Sequence, residues 1–373
     1  MSSDASFRRK QADTDTRLGR TLIDDIRRGD FKRHITRDLK ELYLFYLDED
    51  RRLRLARMNR LKRWIFVVGW LAKSLFLRLT PARRVLLLLC VVLFFWTHIR
   101  FEVRGASVGI DFRLLAFAGV LIILMLELKD KLLARDELEI GRAVQLALLP
   151  QENPVLPGWD IWMYTRPAND VGGDLVDFIP IHKGCLGLVL ADVSGKGLGA
   201  ALLMAKLQAT LRAYATECGG LAELGARVNS IFCRDGLPNR FATLVYIEVE
   251  AQASVLCILN AGHLPPVRVS DSVFEKLQPA AMPLGIAPGT AYAEQQIDVD
   301  PGDLVVVYSD GLTEAQNEKE EFFGDERVER LISELGGLSA KKAGARLLSA
   351  VQSYVADAPQ SDDLSLLILR RSL

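Results

Sequence analysis

Aspartates in four places of the sequence share one local context, the end or the start of an apolar, strand-like run. Asp174 lies in VGGDLVDF, Asp192 closes LGLVLAD before VSGKG, Asp310 closes DLVVVYSD, and the pair Asp362–Asp363 precedes LSLLILR. Carboxylates that converge from several strand ends repel each other unless a cation lies between them. Adjacent glycines let backbone carbonyls and water approach such a cation closely. The pattern predicts a cation site at strand ends, although each stretch alone is also typical of a surface turn.

The ligand type indicates the kind of cation. A set of oxygen ligands without His or Cys favours hard ions such as Mg²⁺ or Mn²⁺. Two such ions about 4 Å apart, bridged by one carboxylate, can activate water against a phosphoryl group. Other chemistries lack their residues: the GKG at 195–197 is not followed by the Ser or Thr of a phosphate-binding P-loop, and G-x-S-x-G does not occur. The run DGLTEAQNEKEE from Asp310 lacks the alternating oxygen ligands of an EF-hand.

Three further residue types call for an interpretation. His263, in NAGHLPP, either contacts a metal-binding residue or the substrate, or is a hydrogen-bonded turn histidine, and we expect the latter. Lys196, at a predicted helix start, could attract phosphate, but we expect a solvated surface lysine. The five cysteines have no C-x-x-C spacing and predict neither a zinc site nor a disulfide framework: Cys90, Cys185, Cys218, Cys233 and Cys257.

The elements that position the aspartates begin after residue 158. Strand-like runs lie at 186–192, 241–250, 253–260, 303–309 and 364–370, and helix-like runs at 199–217, 221–232 and 339–355. The runs 241–250 and 253–260 are joined by too few residues for a crossover, so they must be antiparallel. Clustered strands with long helices elsewhere predict an α+β layered domain rather than a Rossmann fold.

Charge divides the chain. Residues 1–84 carry 22 Lys and Arg against 11 Asp and Glu, a net of +11, and the remainder carries 25 against 36, a net of −11. A basic segment ahead of apolar runs favours an anionic membrane face over nucleic acid as its partner, and an acidic main domain argues against nucleic-acid binding. The first 20 residues are polar and have no apolar core, which argues against a cleaved signal peptide.

Two apolar runs, 85–99 and 114–126, contain no Asp, Glu, Lys or Arg. We expect a helical transmembrane hairpin with both chain ends in the cytoplasm, because Lys and Arg flank both runs. Both runs are shorter than the roughly 20 residues that a bilayer requires, so a buried soluble hairpin is the alternative. The segment 64–79 holds Lys73 and Arg78 and suits an interfacial helix.

A predicted helix at 127–149 connects these runs to the domain and ends before Pro150. Its weak seven-residue seam of Leu126, Leu133, Ile140 and Ala147 predicts a homodimer through this linker helix. We therefore expect a basic helical region at 1–84, a two-span hairpin at 85–128, a linker helix at 129–150 and a catalytic domain at 151–373.

Nine strings, in order from 142 to 371, carry a family resemblance: RAVQLALLP, PANDVGGDLVDF, LADVSGKGLGAALLMA, FATLVYIEVE, NAGHLPP, MPLGI, DLVVVYSDGLTEAQN, FFGDERV and QSDDLSLLILRR. The sequence resembles the metal-dependent protein serine/threonine phosphatases, and within them the bacterial SpoIIE/RsbU branch. The resemblance implies a four-layer α/β/β/α sandwich of two mainly antiparallel sheets with metals at one edge. The expected fold class is thus α+β, this sandwich preceded by the N-terminal membrane hairpin.

The resemblance also implies a role for each site residue. Asp192 would bridge two ions, Mn²⁺ or Mg²⁺, and Val193 would add its backbone carbonyl. The other carboxylates would come from Asp174, Asp310 and Asp362, with Asp363 as a neighbour or substitute, and the catalytic set would be Asp174, Asp192 and Asp310. The flanking glycines would clear space for the metal–water cluster. Eukaryotic members carry a His after the bridging Asp-Gly, whereas this stretch reads DVSGKG, so the donor of the leaving-group proton is unassigned.

The expected function is hydrolysis of phosphoserine or phosphothreonine on a regulatory protein, such as an anti-sigma-factor antagonist, at the cytoplasmic membrane. The expected partners are this phosphoprotein and membrane lipid, without nucleic acid. The alternative is a non-catalytic signalling module on the same fold. Loss of a metal-binding Asp would favour that alternative, and here none of the aspartates is lost.

Overall fold

The computed structural model describes residues 59–96, 99–103, 106–110, 112–236, 239–270, 274–278 and 281–372. The chain divides into two compact units, Met1–Asp130 and Lys131–Leu373. Most of the predicted basic region 1–84 lies outside the described residues. The finer division into four parts stays a prediction.

The described part of the first unit is mainly helical. Its elements are α1 (Arg60–Arg78), α2 (Pro81–Phe95), the antiparallel hairpin of β1 (Ile99–Val103) and β2 (Ala106–Ile110), and the start of α3 (Phe112–Leu148). Proline in the first turn of α2 suits a helix start, because the missing N–H has no intrahelical partner there. Arg83 joins α2 to α3 through ion pairs of 2.6 Å with both Glu127 and Asp130.

The structure does not support the predicted two-span hairpin. No helix among the described residues has a stretch that is both long and apolar enough to cross a membrane. Helix α2 has 15 residues and is therefore about 22 Å long, against about 30 Å for a bilayer core. In α3 the apolar run 114–126 is followed at once by charged residues, beginning with Glu127.

The alternative of a buried hairpin also fails for several of these side chains. Val85 is 67% exposed, Phe95 77% and Leu114 73%. The second apolar run and the predicted linker helix form one continuous helix of 37 residues, α3. This helix crosses the boundary between the units.

The second unit contains two five-stranded sheets. The strands are β3 (Trp159–Arg166), β4 (Leu175–His182), β5 (Cys185–Val193), β6 (Ala242–Glu250), β7 (Val255–Ala261), β8 (Val267–Val269), β9 (Phe274–Lys276), β10 (Gln295–Asp298), β11 (Leu304–Tyr308) and β12 (Leu364–Arg371). The first sheet has the order β10-β7-β6-β5-β4 and the second β3-β12-β11-β8-β9. The strand pairs within both sheets are antiparallel, as predicted for 241–250 and 253–260.

Helices cover the outer face of each sheet. Helices α4 (Leu198–Tyr214) and α5 (Leu221–Asp235) pack on the first sheet, and α6 (Asp325–Ser333) and α7 (Ala340–Val355) pack on the second. A third apolar core lies between the sheets. These layers confirm the α/β/β/α sandwich for this unit.

Alternation along the central strands produces the layers. In β5, Val189 and Ala191 face the helices, whereas Leu188 and Leu190 face the second sheet. Strands buried on both faces have continuous apolar sequences, which explains why this strand was detectable in the sequence.

The register brings the aspartates to matching strand ends. Leu175 pairs with Ala191, so β4 begins beside the end of β5. Tyr308 pairs with Leu366, so β12 begins close to the end of β11. The residues just outside these strand ends are Asp174, Asp310 and the pair Asp362–Asp363.

Candidate active site

Asp363 joins the two sheets at the aspartate edge, by which we mean Asp174, Asp192, Asp310, Asp362 and Asp363. Its Oδ2 accepts hydrogen bonds from the backbone N–H of Gly173 at 2.6 Å and of Asp174 at 3.3 Å, and its Oδ1 accepts one from Ala168 at 2.8 Å. The side chain is buried. The carboxylate therefore fixes the loop that carries Asp174 to the start of β12.

Glycine is required where this loop approaches the other strand ends. A Cβ atom on Gly172 would lie 2.4 Å from Oδ2 of Asp363, and one on Gly173 would lie 2.7 Å from the carbonyl oxygen of Val193. Real Cβ contacts are not this short. The two glycines thus make room for a carboxylate and a carbonyl oxygen.

Burial and mutual repulsion disfavour negative charge at the aspartate edge. Burial raises the pKa of Asp192 to about 7, and the charges of Asp310 and Asp362 add to the increase. Burial also raises the pKa of Asp310 to about 6, with Asp362 as the next cause. Burial and then the charge of Asp192 hold the pKa of Asp174 well above its usual range. A divalent cation among these groups would stabilise their ionised forms.

At the aspartate edge, one buried carboxylate oxygen has no hydrogen-bond partner among the described residues. This atom is Oδ2 of Asp174. A buried polar atom without a partner costs about 1–3 kcal/mol, so such an atom in a functional region indicates a missing ligand. The all-oxygen donor set fits a hard divalent cation.

The five carboxylates do not converge on a single point. Among the described residues, no three of them bring oxygen atoms to within 4.8 Å of one another. Asp362 instead forms an ion pair with Nζ of Lys196 at 2.9 Å. Nζ of Lys196 also donates to the carbonyl oxygen of Ser361 at 2.9 Å, and the hydrogen bond to Asp362 is the main cause that raises the pKa of Lys196. Lys196 is thus an exposed surface lysine, as expected, with its side chain 56% exposed, but it also forms an ion pair that the sequence did not predict.

His263 is the hydrogen-bonded histidine that the sequence predicted. Its Nδ1 lies 2.7 Å from Oγ1 of Thr243, and its Nε2 lies 3.1 Å from the carbonyl oxygen of Tyr308. Nε2 must donate to that carbonyl, so Nδ1 accepts from the hydroxyl. Thr243 is the register partner of Asp192, and Tyr308 ends the strand before Asp310. His263 therefore links the two sheets below the aspartate edge, a role that the motif NAGHLPP alone did not reveal.

The end of helix α3 contacts the glycine loop. The side-chain amide of Gln145 donates to the carbonyl oxygen of Gly172 at 2.8 Å and accepts from its N–H at 3.0 Å. Gln145 is buried. Sequence analysis missed this residue, because nothing marks a helical Gln as the partner of a loop 27 residues later.

Solved structures share this fold. The SiaA-PP2C domain of Pseudomonas aeruginosa superposes with a TM-score of 0.57 and 19% identity, over 65% of this chain and 98% of that one. This likeness supports the sandwich architecture.

Two curated relatives are similar to this chain in sequence. Phosphoserine phosphatase RsbU of Bacillus subtilis is 27% identical over 241 residues, which are 64% of this chain and 71% of RsbU. Protein IcfG of Synechocystis is 27% identical over 278 residues, 66% of this chain and 43% of IcfG. The chain thus spans less than half the length of IcfG.

The family match and the phosphoserine phosphatase relatives support a protein serine/threonine phosphatase domain in the second unit. The family model of Stage II sporulation protein E (SpoIIE) matches residues 182–372, just over half of the chain. The chain belongs to the SpoIIE family.

Proposed function

We propose that the protein hydrolyses phosphoserine and phosphothreonine on a small regulatory protein, with two Mn²⁺ or Mg²⁺ ions at the aspartate edge. The observation that carries the proposal is the buried, unpartnered Oδ2 of Asp174 beside the carboxyl of Asp192, whose pKa is raised to about 7. Both features favour the binding of divalent cations by the carboxylates of this edge.

The residues would divide the task as the family resemblance implies. Asp192 would bridge the two ions, and the carbonyl oxygen of Val193 would join it, because Gly173 leaves that oxygen accessible. Asp174, Asp310 and Asp362 would complete the set. When bound, the ions would supply the Lewis acidity that activates water for attack on the phosphoryl group.

Two neighbouring residues would support this set. Asp363, whose carboxylate accepts three backbone hydrogen bonds, would position Asp174. Lys196, whose ammonium lies 2.9 Å from the carboxylate of Asp362, would attract the phosphate of the substrate to this edge.

The class of substrate follows from the relatives. RsbU is named a phosphoserine phosphatase, which supports a phosphoserine substrate here. An anti-sigma-factor antagonist is the regulatory protein that the family resemblance favours.

The location belongs to the same proposal. We place the protein at the cytoplasmic membrane, with the phosphatase domain in the cytoplasm and lipid as a partner. The net charge of +11 in residues 1–84 supports attachment to anionic lipid. The full chain should sediment with anionic vesicles at low salt and be released by high salt. Sedimentation that is equal on neutral vesicles would contradict this attachment.

The proposal also includes a second copy of this chain as a partner, in a homodimer formed through α3. Leu133 is 53% exposed and Ile140 66% exposed, so this part of the seam is accessible, while Gln145 is buried against the domain. The double variant Leu133→Asp, Ile140→Asp should be a monomer in sedimentation velocity, whereas the wild-type chain should be a dimer. A variant that remains folded by circular dichroism and still dimerises would refute the seam.

Phosphate release from a phosphoserine protein tests the activity itself. The full chain should release phosphate with Mn²⁺ or Mg²⁺, and a chelator should abolish release. The variant Asp170→Asn is a matched control, because Asp170 lies in the same loop but is exposed. Full activity of the pure protein in excess chelator would exclude the two-ion mechanism.

A further inference from the structure

A second group of potential metal ligands lies at the opposite ends of the central strands. His182, Cys185 and Glu250 each place one ligand atom within 4.8 Å of the other two. Nε2 of His182 lies 3.9 Å from Oε1 of Glu250. Among the described residues, no other group of three or more His, Cys, Asp or Glu side chains has that spacing.

The sheet itself brings these residues together. His182 pairs with Cys185 across the two-residue turn between β4 and β5, and Cys185 pairs with Glu250 on β6. Cross-strand partners point to the same face of a sheet, with Cβ atoms about 4.5–5.5 Å apart. The register therefore places the three side chains side by side at one end of the sheet, after an irregularity in the pairing of β4 with β5 between Pro180 and His182.

The distances suit a tetrahedral ion. Metal–ligand bonds of about 2.0–2.3 Å place the ligand atoms of a tetrahedral zinc site about 3.4–3.7 Å apart. The His182–Glu250 distance of 3.9 Å needs only a small adjustment to reach this range. Both side chains are mobile enough to adjust, since they are 61% and 65% exposed.

Ligand type separates this cluster from the aspartate edge. Thiolate and imidazole ligands favour Zn²⁺ over Mg²⁺ and Mn²⁺. Nδ1 of His182 lies 3.4 Å from the carbonyl oxygen of Lys183; a proton on Nδ1 would leave the lone pair of Nε2 for a metal, the usual arrangement of zinc-bound histidine.

The electrostatic surroundings of Cys185 also favour a cation. Burial first, and then the charges of Glu248 and Glu250, raise the pKa of the Cys185 thiol to about 11. The same carboxylates that disfavour an isolated thiolate attract a divalent cation, which in turn stabilises the thiolate.

From this geometry we propose that His182, Cys185 and Glu250 form a Zn²⁺ site, with a fourth position open to water. The ion would join three neighbouring strands, β4, β5 and β6, at one end of the first sheet. Asp192 lies seven positions after Cys185 along β5, which corresponds to about 23 Å at 3.3 Å per residue. The site is thus distinct from the aspartate edge and does not depend on the proposed phosphatase mechanism.

Cobalt tests the proposal with a spectroscopic signal that carboxylates cannot produce. Titration of the full chain with Co²⁺ should give a thiolate-to-cobalt charge-transfer absorption in the near ultraviolet, and Zn²⁺ should displace it. Cys185→Ser should abolish this absorption. Cys257→Ser is the matched control and should keep it, because Cys257 is a partly buried thiol of the same sheet, on β7, two strands away from Cys185.

Three further variants make the result decisive. His182→Ala and Glu250→Gln should weaken Zn²⁺ binding about tenfold or more, since even the loss of an outer partner of a metal ligand costs 10–100-fold. Asp192→Asn should keep the absorption, which separates this site from the aspartate edge. Because His182 is exposed, His182→Ala remains informative even if Cys185→Ser does not fold.

Two results would overturn the proposal. The first is Co²⁺ binding by the wild-type chain without charge-transfer absorption. The second is an absorption that persists in Cys185→Ser or that disappears in Cys257→Ser. Either result would reduce the cluster to a His–Glu ion pair above a buried thiol.

Discussion

Asp362 and Asp363 are adjacent in sequence, but substitution of Asp363 should cost much more stability than substitution of Asp362, and the difference can be measured without metal. Asp363→Ala removes three hydrogen bonds to backbone N–H groups, at 2.6, 2.8 and 3.3 Å. Bonds to a charged group contribute about 1.5–3 kcal/mol each, and the longest contributes little. Loss of the charge also relieves repulsion, because Asp363 raises the pKa of both Asp174 and Asp192. We therefore expect a net loss of about 2–4 kcal/mol in the free energy of unfolding.

Asp362→Ala is the matched control. It removes an ion pair to a lysine that is 56% exposed, and exposed pairs contribute about 0–1 kcal/mol. It also removes a hydrogen bond of 2.9 Å from the backbone N–H of Asp363, which contributes about 0.5–1.5 kcal/mol. The charge that it removes raises the pKa of Asp192 and Asp310, so relief of repulsion should offset these losses and leave the stability in chelator nearly unchanged.

Thermal unfolding in EDTA, followed by circular dichroism, measures the difference. At about 2–4 °C per kcal/mol for a domain of this size, Asp363→Ala should lower Tm by roughly 5–15 °C and Asp362→Ala by almost nothing. The Mn²⁺ affinity of the two variants should show the opposite order. Asp362→Ala should lose more Mn²⁺ affinity than Asp363→Ala, because Asp362 is the proposed ligand. Equal Tm values for the two variants in EDTA would refute the positioning role of Asp363.

Two other predictions follow from the site. Gly173→Ala places a Cβ 2.7 Å from the carbonyl oxygen of Val193, so it should lower the free energy of unfolding by about 1–3 kcal/mol through overpacking and remove most of the Mn²⁺ affinity. Gly199→Ala is the control and should change neither quantity, because no atom lies within 4 Å of its Cβ. Equal effects of the two variants would contradict the close approach at Gly173. Burial lowers the pKa of His263 from 6.5 to about 4, so the unfolded state binds more protons between these values and stability should fall as pH drops from 6.5 to 4, by about 3 kcal/mol in total. Urea unfolding at pH 7 and pH 4.5 should show a smaller pH dependence for His263→Gln, and an identical dependence in wild type and variant would refute this contribution.

Much of the phosphatase domain could be predicted from the sequence, because its central strands are buried on both faces. Strand β5 is apolar along almost its whole length, and a run of that kind ends visibly at Asp192. Short connections then fixed the antiparallel pairing. The positions of the aspartates at strand ends therefore followed from local sequence.

Contacts across the chain could not be predicted in this way. Asp363 contacts Gly173 across 190 positions, and Lys196 contacts Ser361 across 165. No local pattern encodes such pairs, because they depend on how the two sheets stack. The search for C-x-x-C spacing likewise could not predict the His182–Cys185–Glu250 cluster, because strand register brings these residues together.

The N-terminal prediction failed for a different reason. Apolar composition alone does not tell where a helix ends. The run 85–99 was counted as one span, whereas α2 stops at Phe95 and Ile99 begins strand β1. The remaining apolar helix is too short for a bilayer.

Mn²⁺ binding by the aspartate edge tests the central claim most directly. Equilibrium dialysis of the full chain should give two more bound ions for the wild-type protein than for Asp192→Asn, because the proposed bridge contributes to both sites. Asp170→Asn should bind as many ions as the wild type. Equal binding by the wild type and Asp192→Asn would contradict the two-ion site.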